Sequence, residues 1–458
     1  MRVRLPLPRL VLLSALSAFA GGALVASVGH AEKRDASPHA AIEQLARVLV
    51  IVENRYVDPV DRARLLAGAI KGMVAELDPH SEYFPPKEYA AFAGETQGKF
   101  GGVGLEVEAG AEYLTIVSPI EGGPAEAAGL RAGDQIVAID GQDARGLSLE
   151  KAVTKMRGDA GTKVEITIRR PSEAKVFRVP LVRSVIHVPS VEAWPLPSGV
   201  VYLRLRQFQE RTRDELLDQL GKVRGKLGVP IAGVVLDMRR NPGGLVDQAV
   251  GVADEFLDSG IIFSTRGQTK DSIEETKATS GGALTKVPVV VLVDEGSASA
   301  AELVAGALQD SKRATIVGQP TFGKGSVQTI IELPDGAGLK ITTARYYTPS
   351  GRAIQAQGIE PDVLVEASRT PVPPAPFPKE KDLVGALPPE LGAGGDAGVP
   401  SAPSAPAAAS SSAPSAPTAA SSSAPNAPSA PSRAPDLEKD FQLKMGFQIV
   451  TGVLMKKR

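Results

Sequence analysis

Seven residues, "GSASAAE" from Gly296 to Glu302, follow the apolar run "VPVVVLVDE" and precede "LVAGAL". Two hydroxyls, Ser297 and Ser299, therefore stand among small residues where a buried strand gives way to a helix. Either they cap and shape that turn, or one is a nucleophile whose small neighbours leave room for a carbonyl. A nucleophilic serine needs a base. Of the four histidines, His30, His39, His80 and His187, none neighbours the serines in sequence, which gives a Ser-His-Asp triad weak support. "TFGKGSVQ" at 321–328 offers a lysine instead: Lys324, flanked by glycines and set between the runs "ATIVG" and "VQTIIELP". A free lysine titrates near 10.4, and bringing it to about 7–8 asks for ~4 kcal/mol of disfavoured charge, which burial can supply. The plain alternative is a solvated lysine in a glycine turn. A third stretch, "VVLDMRRNPGG" at 234–244, ends a strand in paired glycines. Their N–H groups either converge on an oxygen, as an oxyanion hole requires, or simply make a strand-to-helix turn.

The totals narrow the class. At 458 residues the chain exceeds one domain. A net charge of −1 and 4% aromatics leave neither the electrostatic footprint nor the stacking surface of a nucleic-acid binder. With no cysteine there is no thiol nucleophile, disulfide or thiolate metal site. No phosphate-binding Gly-rich loop with a following Lys-Ser or Lys-Thr and no carboxylate cluster appears, so neither cofactor nor metal is expected.

The elements that would position these residues read in order. Residues 1–31 combine a basic start, "MRVRLPLPRL", with an uncharged run and "GHA" before Glu32, which predicts either a cleaved signal peptide or, through residues 10–29, a membrane anchor. Residues 38–97 read helical. Residues 98–184 break into short β-rich runs, and 185–368 alternate apolar strands with amphipathic helices, the pattern of an α/β core with a largely parallel sheet. Residues 369–435, dominated by Ala, Pro and Ser, read as a disordered linker. In 436–458, Phe441, Leu443, Phe447, Ile449 and Leu454 recur at roughly helical spacing, as in a docking element.

Taken together, the three motifs resemble the carboxy-terminal processing peptidases, serine peptidases with a Ser/Lys pair and an embedded PDZ domain. "GSASAAE" resembles their nucleophile loop, with Ser299 at the catalytic position, and "TFGKGSVQ" resembles the loop of the base, giving Lys324, with Gln328 at the position that helps orient it. "LDMRRNPGG" resembles the oxyanion-side turn, so Gly243 or Gly244 with the backbone of Ala300 is implied as the hole. "LDPHSEYF", "VYLRLRQF" and "ARYYTPSGRAIQAQGIEPDV" match as well; Ala301 departs, since many members carry a serine there. The resemblance implies a layered α/β peptidase core of the crotonase or Clp-protease kind, an inserted PDZ domain and a helical N-terminal region. Ser297 then shapes the loop.

"KFGGVGLEV" and "GGPAEAAGLRAGDQIVAIDGQ" resemble a PDZ domain. Gly101, Gly102, Val103, Gly104 and Leu105 are then the carboxylate loop and the strand that pairs with a peptide end. Arg157, in "KMRGDAGT", falls where the family couples PDZ position to the active site. The implied protein is an exported, periplasmic or cell-envelope endopeptidase that cleaves proteins near their C-terminal ends. Its partners would be chains with free C-termini, a second copy in a homodimer, and an activating adaptor. The alternative is a PDZ-bearing adaptor with a silent peptidase core.

Overall fold

Continuous apolar runs and alternating ones sort into different layers. The computed structural model describes residues 38–110, 112–120, 122–269, 273–367, 378–389 and 434–456. The signal or anchor reading of 1–31 and most of the linker reading lie outside them. Residues 38–70 form a first unit by themselves, with helix α1 (Pro38–Arg55) and the start of α2 (Arg62–Ala75). On α1, Ile42, Leu45, Val48 and Ile51 are exposed.

In the second unit, β1 (Glu82–Phe84) and α3 (Pro86–Thr96) lead into a small β domain. The chain enters it through β2 (Lys99–Gly102). Within it lie β3 (Leu105–Glu108), β4 (Leu114–Pro119), β5 (Gln135–Ile139), α4 (Leu149–Met156), β6 (Lys163–Arg170) and β7 (Lys175–Val182). It leaves through β8 (Ser184–His187), which pairs antiparallel with β2, so entry and exit form one two-stranded ribbon. The five named strands run β3-β4-β5-β6-β7, leaving β3 at an edge. Alternate residues of β6, Val164, Ile166 and Ile168, point into a core of their own with Ile116, Ile136 and Leu181.

The larger domain contains β9 (Val191–Pro195), β10 (Val200–Leu205), α5 (Thr212–Leu227), β11 (Gly233–Asp237), α6 (Val246–Asp254), β12 (Ile261–Gly267) and β13 (Ile273–Lys277). There follow β14 (Val289–Val293), α7 (Ala300–Asp310), β15 (Ala314–Gly318), β16 (Ser326–Glu332), β17 (Gly338–Tyr347), β18 (Val363–Leu364) and α8 (Phe441–Lys456). One six-stranded sheet runs β9-β10-β11-β14-β15-β18, parallel from β10 onward. A second sheet, β1-β17-β12-β13 with β16 beside β17, is antiparallel. The parallel strands are mostly apolar because helices cover both faces, with the ion pair Arg204–Asp237 as the exception. Val201, Leu203, Val234, Leu236, Val289 and Val291 face α5, α6 and α7. The intervening Val200, Tyr202, Val235, Val290 and Leu292 face α8.

Helix α8 is therefore part of the core and seals the sheet's second face, with Leu443 and Val450 buried against it. Its amino end is tied by charge: Arg239 donates to both oxygens of Asp440 at 3.0 and 2.6 Å and to Gln442 Oε1 at 3.0 Å. The structure corrects one expectation. Within the stretch read as linker, residues 378–389 form a defined segment with a 3₁₀ turn, Glu380–Asp382, and Glu380 is fully buried. Averaged composition hid it, since "KEKDLVGAL" sits between runs of Pro and Ala.

Candidate active site

Strands β11 and β14 are parallel neighbours in register, Val234 against Val289 through Asp237 against Leu292, so both chains emerge at the same edge of the sheet. That edge is where open α/β sheets gather their sites. From β11 emerges the turn carrying Gly243 and Gly244; from β14 emerges the loop of Ser297 and Ser299. The two interlock. Ala298 N–H donates to Asn241 O at 2.9 Å, and Ser297 Oγ donates to Met238 O at 2.9 Å while accepting Asp294 N–H at 2.9 Å. Ser297, fully buried and fully engaged, thus shapes the loop, as the sequence suggests.

Ser299 stands just before α7 with φ 53° and ψ −115°, a conformation strained for a residue with a side chain. Gly243 makes it possible: a Cβ there would lie 2.9 Å from Ser299 Cβ and 2.8 Å from Ala298 O, and its φ is +98°. The amide of Gly243 is occupied, donating to Asn241 Oδ1 at 2.9 Å. Those of Gly244 and Ala300 carry no hydrogen bond among the described residues.

Lys324 lies in the loop between β15 and β16. Phe322 N–H donates to Ser297 O at 3.0 Å, which ties this loop to the serine loop. The stronger tie is a carboxylate. Glu302, in the first turn of α7 and fully buried, accepts four donors. Its Oε2 takes the N–H of Ser299 at 2.7 Å and of Lys324 at 2.9 Å. Its Oε1 takes the N–H of Gly323 at 2.7 Å and the hydroxyl of Thr321 at 2.5 Å. Burial pushes this carboxyl up to about 7 against the pull of those hydrogen bonds. The lysine moves the other way: burial, then the charge of Lys340, lowers it to about 8, opposed by Glu380, Asp78 and Glu302.

The other residues singled out in the sequence fall as follows. Gln328, on β16, spends its amide nitrogen on Ser326 Oγ at 2.9 Å and Thr342 Oγ1 at 3.3 Å; no hydrogen bond joins it to Lys324 among the described residues. His80 Nε2 meets Glu380 at 2.7 Å, and His187 Nε2 meets Glu215 at 2.7 Å, so both Nε2 atoms are engaged by carboxylates and not by the serines. Arg157 follows α4 with its guanidinium 4.5 Å from the ring centre of Phe100, on entry strand β2. Gly102, Val103 and Gly104 are buried, and the carbonyls of Val103 and Gly104 accept the N–H groups of Ala125 and Ile120. Leu105 on β3, with Leu149 and Val153 on α4, presents partly exposed apolar surface.

Glu302 is the residue that sequence reasoning missed. Its signal was present as Ser299-x-x-Glu302, the spacing in which a Glu side chain returns to the helix-capping N–H.

Comparison with known proteins places these features in a family. Residues 199–365 match peptidase family S41, residues 115–170 a PDZ domain, and residues 16–87 the activating protease CtpB N-terminal domain. A carboxy-terminal-processing protease of Bartonella bacilliformis is 44% identical over 328 residues, 71% of this chain and 75% of the relative. A carboxyl-terminal-processing protease of Picosynechococcus is 40% identical over 321 residues, 69% and 76% of the two chains. The solved photosystem II D1 C-terminal processing protease is 34% identical, covers 71% of this chain and 86% of that one, and superposes with a TM-score of 0.44.

Proposed function

The chain belongs to peptidase family S41, among the carboxy-terminal processing proteases, and on that premise we propose that Ser299 is its nucleophile and Lys324 its general base. The observation that carries this reading is the shared Glu302 oxygen, which binds the backbone N–H of both residues at 2.7 and 2.9 Å. A lysine lowered to about 8 is neutral in a useful fraction near neutral pH, which a base must be.

The chemistry then runs in two halves. Lys324 Nζ takes the Ser299 Oγ proton as Oγ bonds to the substrate carbonyl carbon. The oxyanion so formed lies on the free N–H groups of Gly244 and Ala300, since the amide of Gly243 is held by Asn241. The Lys324 ammonium returns its proton to the leaving amine as the C–N bond breaks, leaving an acyl-enzyme. Water, giving a proton to the same amine, bonds to the acyl carbon; the C–Oγ bond then breaks, and the ammonium returns the proton to Ser299 Oγ as the new C-terminal carboxyl group leaves. Gln328 supports the base from β16, where its amide nitrogen is held by Ser326 Oγ and Thr342 Oγ1.

The PDZ domain holds the substrate's C-terminus. Strand β3 is an edge with room for an added strand, and Gly101 to Gly104 supply the loop for its carboxylate. Leu105, Leu149 and Val153 favour apolar chain ends. Arg157, stacked on Phe100 of β2, relays PDZ position. The exposed apolar face of α1 is where a second copy associates. The basic, then uncharged, N-terminal sequence directs export to the cell envelope. No helix among the described residues is long and apolar enough to cross a membrane.

Cleavage of an unfolded reporter with an apolar C-terminus, by wild type, Ser299→Ala and Lys324→Ala, tests the reading. Both variants are expected to fold and to lose cleavage. Cleavage surviving in Lys324→Ala would mean another base, and tight binding of the chain end without cleavage in wild type would mean a silent adaptor.

A further inference from the structure

The segment 378–389 closes over the loop that carries Lys324. Lys379 Nζ donates to Pro320 O at 3.4 Å, and Glu380 N–H donates to Phe322 O at 3.2 Å. The Glu380 side chain reaches the same loop through an intermediary. Its Oε1 accepts Gln355 Nε2 at 2.9 Å, and Gln355 Oε1 accepts Gly325 N–H at 3.0 Å. Gln355 also donates to Leu387 O at 3.2 Å, so both ends of the segment meet at one fully buried amide. The approach there is close, for a Cβ on Gly325 would fall 2.2 Å from Gln355 N. The loop of the base is thus gripped from two sides, by Glu302 on α7 and by this segment on the other.

We propose that residues 378–389 are a strap belonging to the base site, and that Glu380 is a positioning residue for Lys324. This rests on the reading of Lys324 as general base. A buried carboxylate is costly unless opposite charge or donors answer it. Glu380 has His80 Nε2 at 2.7 Å and Gln355 for donors, and its charge acts on the lysine. Four charged groups act on the Lys324 amine. Lys340, itself paired with Glu82 at 3.1 Å, drives the proton off, while Glu380, Asp78 and Glu302 hold it on, Glu380 most strongly of the three. A gluing role alone would be met by any hydrogen-bonding side chain. A carboxylate adds control over when the amine gives up its proton.

Glu380→Gln separates the two effects, since it keeps the size and an acceptor for Gln355 while removing the charge. The Lys324 amine is titrated directly, by NMR of ¹³C-methylated lysines in the full chain, with Lys324→Arg to assign the signal. The expected result is a midpoint lowered by about half a unit or more, and an acid limb of kcat/KM moved the same way. An unmoved midpoint in folded Glu380→Gln overturns the proposal, because a structural residue would reduce turnover without shifting the titration. Should that variant fail to fold, Glu380→Asp, which keeps the charge but shortens its reach, is expected to lower kcat with KM unchanged. Unchanged kcat there overturns it too. The titration needs no catalysis, so failure of the strap and failure of the Ser/Lys reading, seen as cleavage by Lys324→Ala, are read apart.

Discussion

Ser299 and Lys324, twenty-five residues apart in sequence, hang their backbone N–H groups on one carboxylate oxygen, Oε2 of Glu302. The loops of Ser299 and Lys324 are thus spaced by main chain. An acidic side chain in the first turn also sits well with the helix dipole, and here it carries the tertiary contact as well.

Removing that acceptor should be severe. In Glu302→Gln, either amide orientation sets an NH₂ against two donors, because each oxygen of Glu302 accepts two. We expect a loss of about 2–4 kcal/mol of stability from the unmade bonds. Turnover should fall on the order of 100-fold in whatever remains folded. Denaturant melts and single-turnover cleavage measure both.

Activity should follow the neutral fraction of Lys324. With its amine near 8, kcat/KM should rise about tenfold per unit below that pH and level off above it. The stability sign is opposite to that of a paired lysine. The unfolded chain holds this proton up to the ordinary value of 10.5, so stability gains as pH rises from 8 to 10.5 and is flat below 8. Lys324→Met should therefore abolish cleavage yet stabilise the protein at pH 7, on the order of 1–3 kcal/mol. A lower melting temperature than wild type would contradict the buried-amine account.

Gly243→Ala should silence the enzyme through geometry. The added methyl has to clear Ser299 Cβ and Ala298 O from 2.9 and 2.8 Å at φ +98°. The cost to folding is roughly 1–3 kcal/mol, and kcat should drop at least 100-fold. Labelling of Ser299 by a fluorophosphonate probe, compared with circular dichroism of the same sample, separates displacement from unfolding.

Helix α8 should matter for stability well away from the chemistry. Leu443, 1% exposed, packs against the sheet face opposite α7. Leu443→Ala should cost about 2–5 kcal/mol, with kcat unchanged at temperatures where the variant is folded. A matched fall in kcat at such temperatures would show that the helix also steers the site.

What could be read from the sequence was local. Ser299, Lys324 and the glycine turn each announced themselves through neighbours within a few residues, and the apolar runs marked the sheet that collects them. The Glu302 spacing was equally visible as a helix cap, but its bonds to Gly323 and Lys324 cross twenty-one and twenty-two residues, beyond any local pattern. Glu380 was harder still, being 78 residues past Glu302 amid prolines and alanines. A window that averages composition reports the solvent-facing residues there and misses the single carboxylate that turns inward.

The register of β11 on β14 has a last consequence, for how the protein tolerates change. The Ser299 loop and the Gly243–Gly244 turn are spaced by a ladder of peptide groups, Asp237 opposite Leu292, and not by the bulk of particular side chains. Apolar exchanges within those strands should leave the spacing alone. Inserting or deleting one residue in either strand should not, for it slides one loop about 3.3 Å past the other and turns every following side chain to the opposite face. In this sheet, strand length constrains the spacing more tightly than side-chain identity does.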